Sequence, residues 1–358
     1  MERYLYAAID ANINRALEGV RVCEDVLRFC LHRADISTRI KEIRHRVADA
    51  AKLFPRALLL RGRDVEADGQ KFVDLGGEGT RETLDDLCSA NLHRAMEAVR
   101  SLEEFGKLAL PGMPGNPFQE IRFMLYALER EVVPALRREA VMARFNRALY
   151  AVLDPSYMSG VNYRDAAIAM VRGGASIIQL RMKGGGRKEV LETAKDLSAV
   201  CRAEKVVFIV NDHVDIAILA GADGVHLGIN DLDAADARRL LPPEMIIGVS
   251  VYSTDGLALA APRAADYIAI GPVYDTVYQT EKGAIKLRGS GVDMIGRAKK
   301  TVSVPVVAIG GITAAEAGKA IAAGADAVAV TSALYGENRI EENSRALAEA
   351  ARGGQKSL

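Results

Sequence analysis

Residues 177–187 read IIQLRMKGGGR, and the stretch has three parts of different character. Its β-branched apolar start suits a buried strand. Gln179, Arg181 and Lys183 then recur at every second position, which puts all three on one face of an extended chain. Three glycines let the chain turn, and residues 187–204 carry helical periodicity. The stretch is one strand–loop–helix unit with polar side chains gathered at the strand's carboxyl end.

The unit recurs on both sides. Strand segments are ALYAVLD (148–154), ASIIQLRMK (175–183), KVVFIVND (205–212), GVHLG (224–228), EMIIGVS (244–250), YIAIGP (267–272), PVVAIGG (305–311) and AVAVTS (327–332). Helical segments include 187–204, 254–262, 313–323 and 336–352. Eight units of this kind predict an α/β fold, a (β/α)8 TIM barrel, whose strands are apolar because helices cover one face and the barrel core the other. An open doubly wound sheet is the alternative, but it requires neither eight strands nor this even spacing.

A chain of 358 residues is long for one core, and the barrel pattern begins only near residue 147. Residues 1–146 show no strand rhythm beyond a brief ALLL at 57–60, and they contain a repeat. ANINRALEGVRVCED (11–25) and ANLHRAMEAVRSLEE (90–104) share Asn, Arg, Ala, Glu and Arg, and KEIRHRV (41–47) is echoed by QEIRFML (119–125). A helix–helix unit therefore occurs twice, separated by the Gly- and acid-rich RGRDVEADGQKFVDLGGEGT (61–80). The expected organisation is a helical repeat domain over 1–146 and a barrel over 147–358. On the repeat helix, Ile13, Leu17, Val20 and Leu27 share one side, with Glu18, Arg21 and Asp25 broadly opposite. Those charges are either solvated i,i+3 and i,i+4 pairs or two polar faces closing on an anionic ligand.

Acidic and basic residues balance at 47 each, so no global field favours nucleic acid or an anionic membrane. The first half nevertheless carries 19 Arg against 4 Lys, a bias suited to planar carboxylate or phosphate contacts. Cys23, Cys30, Cys88 and Cys201 form no CxxC pair and read as reduced thiols. The start, MERYLYAAIDANINRA, lacks the apolar core of a secretory leader, and no run reaches membrane-spanning length. A cytoplasmic protein is expected.

Barrel chemistry sits at the carboxyl ends of the strands. At the second, Gln179, Arg181 and Lys183 suit a multiply charged anion such as diphosphate, or else pair with carboxylates. The third ends in Asn211 and Asp212, and the turn after the fourth carries Asp231. Two carboxylates on one rim suit Mg²⁺, which fills its other positions with water and phosphate oxygens; either could instead cap the next helix. His226 could face the rim or be a packed, hydrogen-bonded core residue. Ser250 ends the fifth strand, and a long polar loop, GPVYDTVYQTEKG, follows the sixth with Thr276, Thr280 and Lys282. Gly310 and Gly311 after the seventh strand, with Thr331 and Ser332 after the eighth, match the recurring barrel phosphate site. No nucleophile with a partner base is evident. Two anion sites on one rim suit displacement of diphosphate by a second, phosphorylated substrate.

QLRMK, GADGVHLGINDL, GVS, YIAIGPVY, VVAIGGI and AVAVTSAL, in this order, resemble the thiamine-phosphate synthase (thiamine-phosphate pyrophosphorylase) family over residues 148–340. The resemblance implies a TIM-barrel transferase that joins hydroxymethylpyrimidine diphosphate to a thiazole phosphate, with or without a carboxylate, and releases diphosphate dissociatively. It implies that Gln179, Arg181, Lys183, Asn211 and Ser250 bind the pyrimidine diphosphate, and that Asp212 and Asp231 hold Mg²⁺. Gly311, Thr331 and Ser332 would hold the thiazole phosphate, with Arg181, Lys183, Ser250 and Lys282 serving catalysis. The family's strand-six loop reads Thr-x-Thr-Lys, whereas TVYQTEK spreads Thr276, Thr280 and Lys282 apart. A related thiazole tautomerase, or a regulatory phosphate-binding module, would lack the full diphosphate and metal set.

IDANINRALEGVRVCEDVLRF and ANLHRAMEAVRSLEE resemble the helical domain fused ahead of some such synthases and proposed to be a hydroxymethylpyrimidine-phosphate kinase. That resemblance implies ATP as a substrate and Asn12, Arg15, Glu18, Arg21, Asn91, Arg94, Glu97 and Arg100 as ligand candidates. No P-loop is present, and an oligomerisation or scaffold module is the alternative. The expected partners are small molecules, with a homo-oligomer allowed.

Overall fold

The computed structural model describes residues 2–31, 33–63, 80–112, 116–158, 160–253, 256, 264–280 and 283–353. It forms two compact units, Met1–Glu139 and Ala140–Leu358.

The first unit is helical: α1 (Glu2–Asp25), α2 (Ala34–Ala51), α3 (Arg56–Gly62), α4 (Leu84–Ala109) and α5, which starts at Pro117 and ends at Met142. The ALLL run lies in α3, not in a strand; four apolar residues cannot distinguish the two, and Pro55 just ahead of the first turn favours a helix start. Buried Ile9, Ile13, Ala16, Val20 and Cys23 follow helical spacing along α1. A Thr83–Asp86 capping box starts α4. Cys23 packs on the Cys88 carbonyl and Gly19 on Asn91 and Ala95, so α1 and α4 run antiparallel.

The second unit is a closed barrel of β1 (Ala148–Leu153), β2 (Ile177–Leu180), β3 (Val207–Asn211), β4 (Gly224–Leu227), β5 (Ile246–Val251), β6 (Tyr267–Ile270), β9 (Val306–Ile309) and β10 (Ala327–Val330). Every neighbouring pair is parallel, with β1 closing onto β10. The remaining strands, β7 (Thr276–Thr280) and β8 (Gly283–Leu287), form an antiparallel hairpin where the sequence suggested only a long polar loop. Alternating Thr, Val, Tyr and Ile in TVYQT and GAIKL is the strand signal that the polar reading masked. Most of the helix expected over 254–262 lies outside the described residues. The last helix starts at Ile340 rather than near 336, because a 3-10 turn at Gly336–Asn338 precedes it.

Strand alternation sorts the core. Leu149, Ala151 and Leu153 face the surrounding helices, whereas Ala148, Tyr150 and Val152 face the barrel interior with Ile177, Val207, Ile246, Tyr267 and Val307. Phe145 plugs the base of that interior against the Tyr267 ring, 4.8 Å between centroids. Gly248 makes room for this packing: a Cβ there would lie 2.0 Å from Tyr267 Cζ.

Candidate active site

The inward-facing positions, followed to the carboxyl ends of the strands, converge on one cavity. Gln179, Arg181, Lys183, Asn211, Asp212, Asp231, Ser250, Thr276, Gly311, Thr331 and Ser332 all line it. Lys282 lies outside the described residues; Thr280 ends β7, and its side chain is likewise undescribed.

The second strand's cations do not stand alone. Arg181 forms an ion pair with Asp154, whose side chain is 2% exposed, and Lys183 pairs with Asp212. Asp154 also accepts a bond from Ser156 N at 2.9 Å. It extends β1 with the parity of Tyr150 and Val152, so strand alternation alone could have singled it out.

Neither metal candidate caps a helix. The helix after Asp212 (Val214–Ala220) has His213 at its N-cap without a side-chain bond, and Asp233 caps the one after Asp231. Asp212 sits at φ +65, a left-handed conformation that Asp tolerates better than most residues. Burial pushes its carboxyl pKa up, contact with the Asp231 carboxyl adds to the rise, and Lys183 opposes it. Asp231 also accepts from Gly228 N at 2.7 Å, which fixes the loop. Among the described residues no three His, Cys, Asp or Glu side chains are poised for a metal, and Asp212 and Asp231 are the candidate oxygen donors. Such an oxygen donor set fits a hard cation such as Mg²⁺. The described lining also sets Asp154, Asp212 and Asp231 against Arg181 and Lys183, an excess of negative charge that a diphosphate would meet unless a cation joined it.

Across the rim, Gly310 and Gly311 take φ +95 and +69 beneath the segment after β6. A Cβ on Gly311 would come within 2.6 Å of the Asp275 carbonyl. Thr331 and Ser332 enter from the end of β10.

The cavity floor holds residues that the sequence reading did not assign to the site. Gln179 Nε2 donates to the Tyr150 hydroxyl at 2.7 Å, and that hydroxyl meets Tyr267 Oη at 2.8 Å. Tyr267 Oη lies 3.0 Å from His226 Nδ1, and His226 Nε2 lies 2.9 Å from Ser250 Oγ. His226 is thus a buried, hydrogen-bonded residue that also touches the cavity. Burial holds its pKa down to about 4, so the imidazole is neutral at pH 7. Polar residues at inward positions of otherwise apolar strands were the available signal.

In the helical unit, Asn12 and Asn91 each donate to the backbone four residues back, Ala8 and Leu87, both at 2.8 Å. Arg21 and Arg100 also have structural roles. Glu24 is buried and held by Arg44 at 2.7 Å with Arg21 nearby; its repeat equivalent Glu103 is held by Arg100 at 2.7 Å and Arg122 at 3.1 Å. Arg15, Glu18, Arg94 and Glu97 are exposed, with no partner among the described residues. The eight candidates are therefore not gathered around one ligand.

A family model described as thiamine monophosphate synthase matches residues 149–334, and one described as the ThiD2 family matches residues 7–131. A thiamine-phosphate synthase of Synechococcus sp. (strain CC9311) is 36% identical, covering 95% of this chain and 94% of that protein. The Synechocystis sp. (strain PCC 6803) thiamine-phosphate synthase is also 36% identical, over 91% of this chain and 90% of its own length. Among solved structures, the thiamine phosphate pyrophosphorylase from Pyrococcus furiosus superposes with a TM-score of 0.53 at 31% identity, covering 59% of this chain and 98% of that one. Among the described residues no helix is long and apolar enough to cross a membrane.

Proposed function

The chain belongs to the thiamine monophosphate synthase family, transferases of thiamine biosynthesis, and from that premise we propose how its own residues carry the reaction. The pyrimidinylmethyl carbon–oxygen bond of 4-amino-2-methyl-5-hydroxymethylpyrimidine diphosphate breaks first. Diphosphate departs with the bonding pair, and the nitrogen of thiazole phosphate, carboxylated or not, then supplies the pair for the new carbon–nitrogen bond. Thiamine phosphate and diphosphate are the products, with CO₂ released as well where the thiazole carries the carboxylate.

Arg181 and Lys183 neutralise charge that grows on the departing oxygens, and Asp154 holds the Arg181 guanidinium in place for that task. Gln179 and Asn211 orient the pyrimidine diphosphate. Gly311, Thr331 and Ser332 receive the thiazole phosphate across the rim, with Thr276 and, by family resemblance, Thr280 and Lys282 beside it. Asp212 and Asp231 would hold Mg²⁺, which when bound supplies further neutralisation of the diphosphate. Val152, Ala269, Val307 and Ala329 give the cavity an apolar patch beside these polar groups. The observation that carries this reading is the convergence of the Lys183–Asp212–Asp231 cluster and the Gly310–Gly311 turn on one cavity.

A second reading concerns the helical unit, which would use ATP to convert hydroxymethylpyrimidine phosphate into the diphosphate that the barrel consumes. The ThiD2 match over 7–131 favours it. So does the repeat. Arg15, Glu18, Arg94 and Glu97 are exposed at equivalent positions of its two copies.

One experiment tests both. The purified chain is given Mg²⁺, thiazole phosphate and either the pyrimidine diphosphate or the monophosphate with ATP, and thiamine phosphate is read as fluorescent thiochrome. Product in both arms supports both readings, and product from the diphosphate alone removes the kinase. No product in either arm overturns the synthase reading.

A further inference from the structure

With the Gln179 amide nitrogen facing Tyr150, the buried chain from Gln179 to Ser250 runs in a direction in which every hydroxyl proton finds an acceptor. An amide nitrogen can only donate, so Gln179 Nε2 takes the Tyr150 oxygen as its acceptor. The Tyr150 proton must then go to Tyr267 Oη, since neither phenol has another acceptor in range among the described residues. Tyr267 in turn donates to His226 Nδ1. Nδ1 is thereby the unprotonated nitrogen, the neutral ring carries its proton on Nε2, and Nε2–H donates to Ser250 Oγ. Ser250 now accepts from within the protein, and its own proton points into the cavity that it lines.

We propose that Tyr150, Tyr267 and His226 are positioning residues that hold the Ser250 hydroxyl as a one-way hydrogen-bond donor toward an oxygen of the bound diphosphate. The proposal rests on the synthase reading above. The physical gain is preorganisation: a serine rotor that could turn to accept or donate is fixed before substrate arrives by groups that are themselves buried. The buried Phe145 ring supports the arrangement from below, packing on both phenols.

The first test needs neither variant nor turnover. In the full chain with ¹⁵N-labelled histidine, long-range ¹H–¹⁵N spectra at pH 7 should show His226 with a pyridine-like Nδ1 and a pyrrole-like Nε2; His226→Gln assigns the signal. The opposite tautomer, or rapid exchange between the two, overturns the relay. The second test uses inorganic diphosphate with Mg²⁺. Its binding should weaken roughly 10- to 100-fold in Ser250→Ala and by a similar factor in Tyr267→Phe. The double variant should be no weaker than Ser250→Ala alone, because Tyr267 acts only through Ser250. Additive losses would make Tyr267 a packing residue, and unchanged diphosphate binding in Ser250→Ala would show that the hydroxyl points at something else; either result overturns the proposal. Failure of the synthase reading would show separately, as absent turnover with the His226 tautomer intact.

Discussion

Asp154→Asn separates the charge of the Arg181 partner from its shape. The amide keeps an oxygen for Ser156 N and fills the same volume, so what is lost is the negative charge beside a guanidinium only 11% exposed. Exposed ion pairs contribute at most about 1 kcal/mol, but removing one member of a buried pair leaves an uncompensated charge and costs about 3–5 kcal/mol. For a barrel unit of this size, that loss corresponds to a melting temperature lower by about 6–20 °C. Arg181 faces the proposed diphosphate position, so an anion bound there should replace the missing carboxylate. Inorganic diphosphate with Mg²⁺ should therefore raise the melting temperature of the variant by several degrees more than that of the wild type. The assay is thermal unfolding of both proteins with and without the ligand. A loss below about 1 kcal/mol would show that the pair behaves as a solvated one. A large loss with no extra rescue would show that Arg181 does not meet the diphosphate.

Asp212→Asn should lower kcat/KM by about 10²–10³-fold and abolish Mg²⁺ binding measured by calorimetry; full activity at ordinary Mg²⁺ would remove Asp212 from the metal site. Gly311→Ala forces a side chain into a left-handed backbone and against the Asp275 carbonyl. Steady-state kinetics should show the KM for thiazole phosphate raised about tenfold, while that for the pyrimidine diphosphate stays put. His226 titrates near 6.5 when unfolded but only near 4 when folded, so the unfolded chain binds its proton more tightly. Stability from the neutral ring is complete above pH 6.5 and is lost as pH falls toward 4: about 3 kcal/mol in all, about 2 of it by pH 5. Urea unfolding at pH 7.5 and pH 5 should show that drop in the wild type and a correspondingly smaller one in His226→Gln.

Strand parity made much of the barrel legible. Once 177, 179, 181 and 183 are set on one face, the same alternation carries Asn211, His226, Ser250 and Thr331 inward from strands that are otherwise apolar. Those positions line the cavity because a parallel barrel leaves them nowhere else to go. Partnership was not legible in the same way. The Arg181–Asp154 and Lys183–Asp212 pairs join residues 27 and 29 positions apart, and only the lateral register of β1, β2 and β3 brings them together. The β7–β8 hairpin was hidden for a different reason. Its polar composition read as a loop, although an antiparallel ribbon exposed to solvent needs no apolar run to form its ladder.

The helical repeat shows why a preserved pattern is an ambiguous signal. A twofold repeat keeps a residue either because both copies pack alike or because both face a common ligand, and sequence periodicity cannot tell these apart. Geometry separates them. Asn12 and Asn91 bond within their own helices, and Arg21 and Arg100 attend the buried Glu24 and Glu103, so packing accounts for both pairs. Among the described residues Arg15, Glu18, Arg94 and Glu97 have no such employment, yet they recur with the same fidelity. Four exposed charges that contribute little to stability are free to drift unless something selects them. Selection for a ligand would act on both arginines together. Arg15→Ala and Arg94→Ala should then each abolish product formation from the monophosphate and ATP while leaving formation from the diphosphate unchanged. A scaffold would give no product from the monophosphate and ATP even in the wild type.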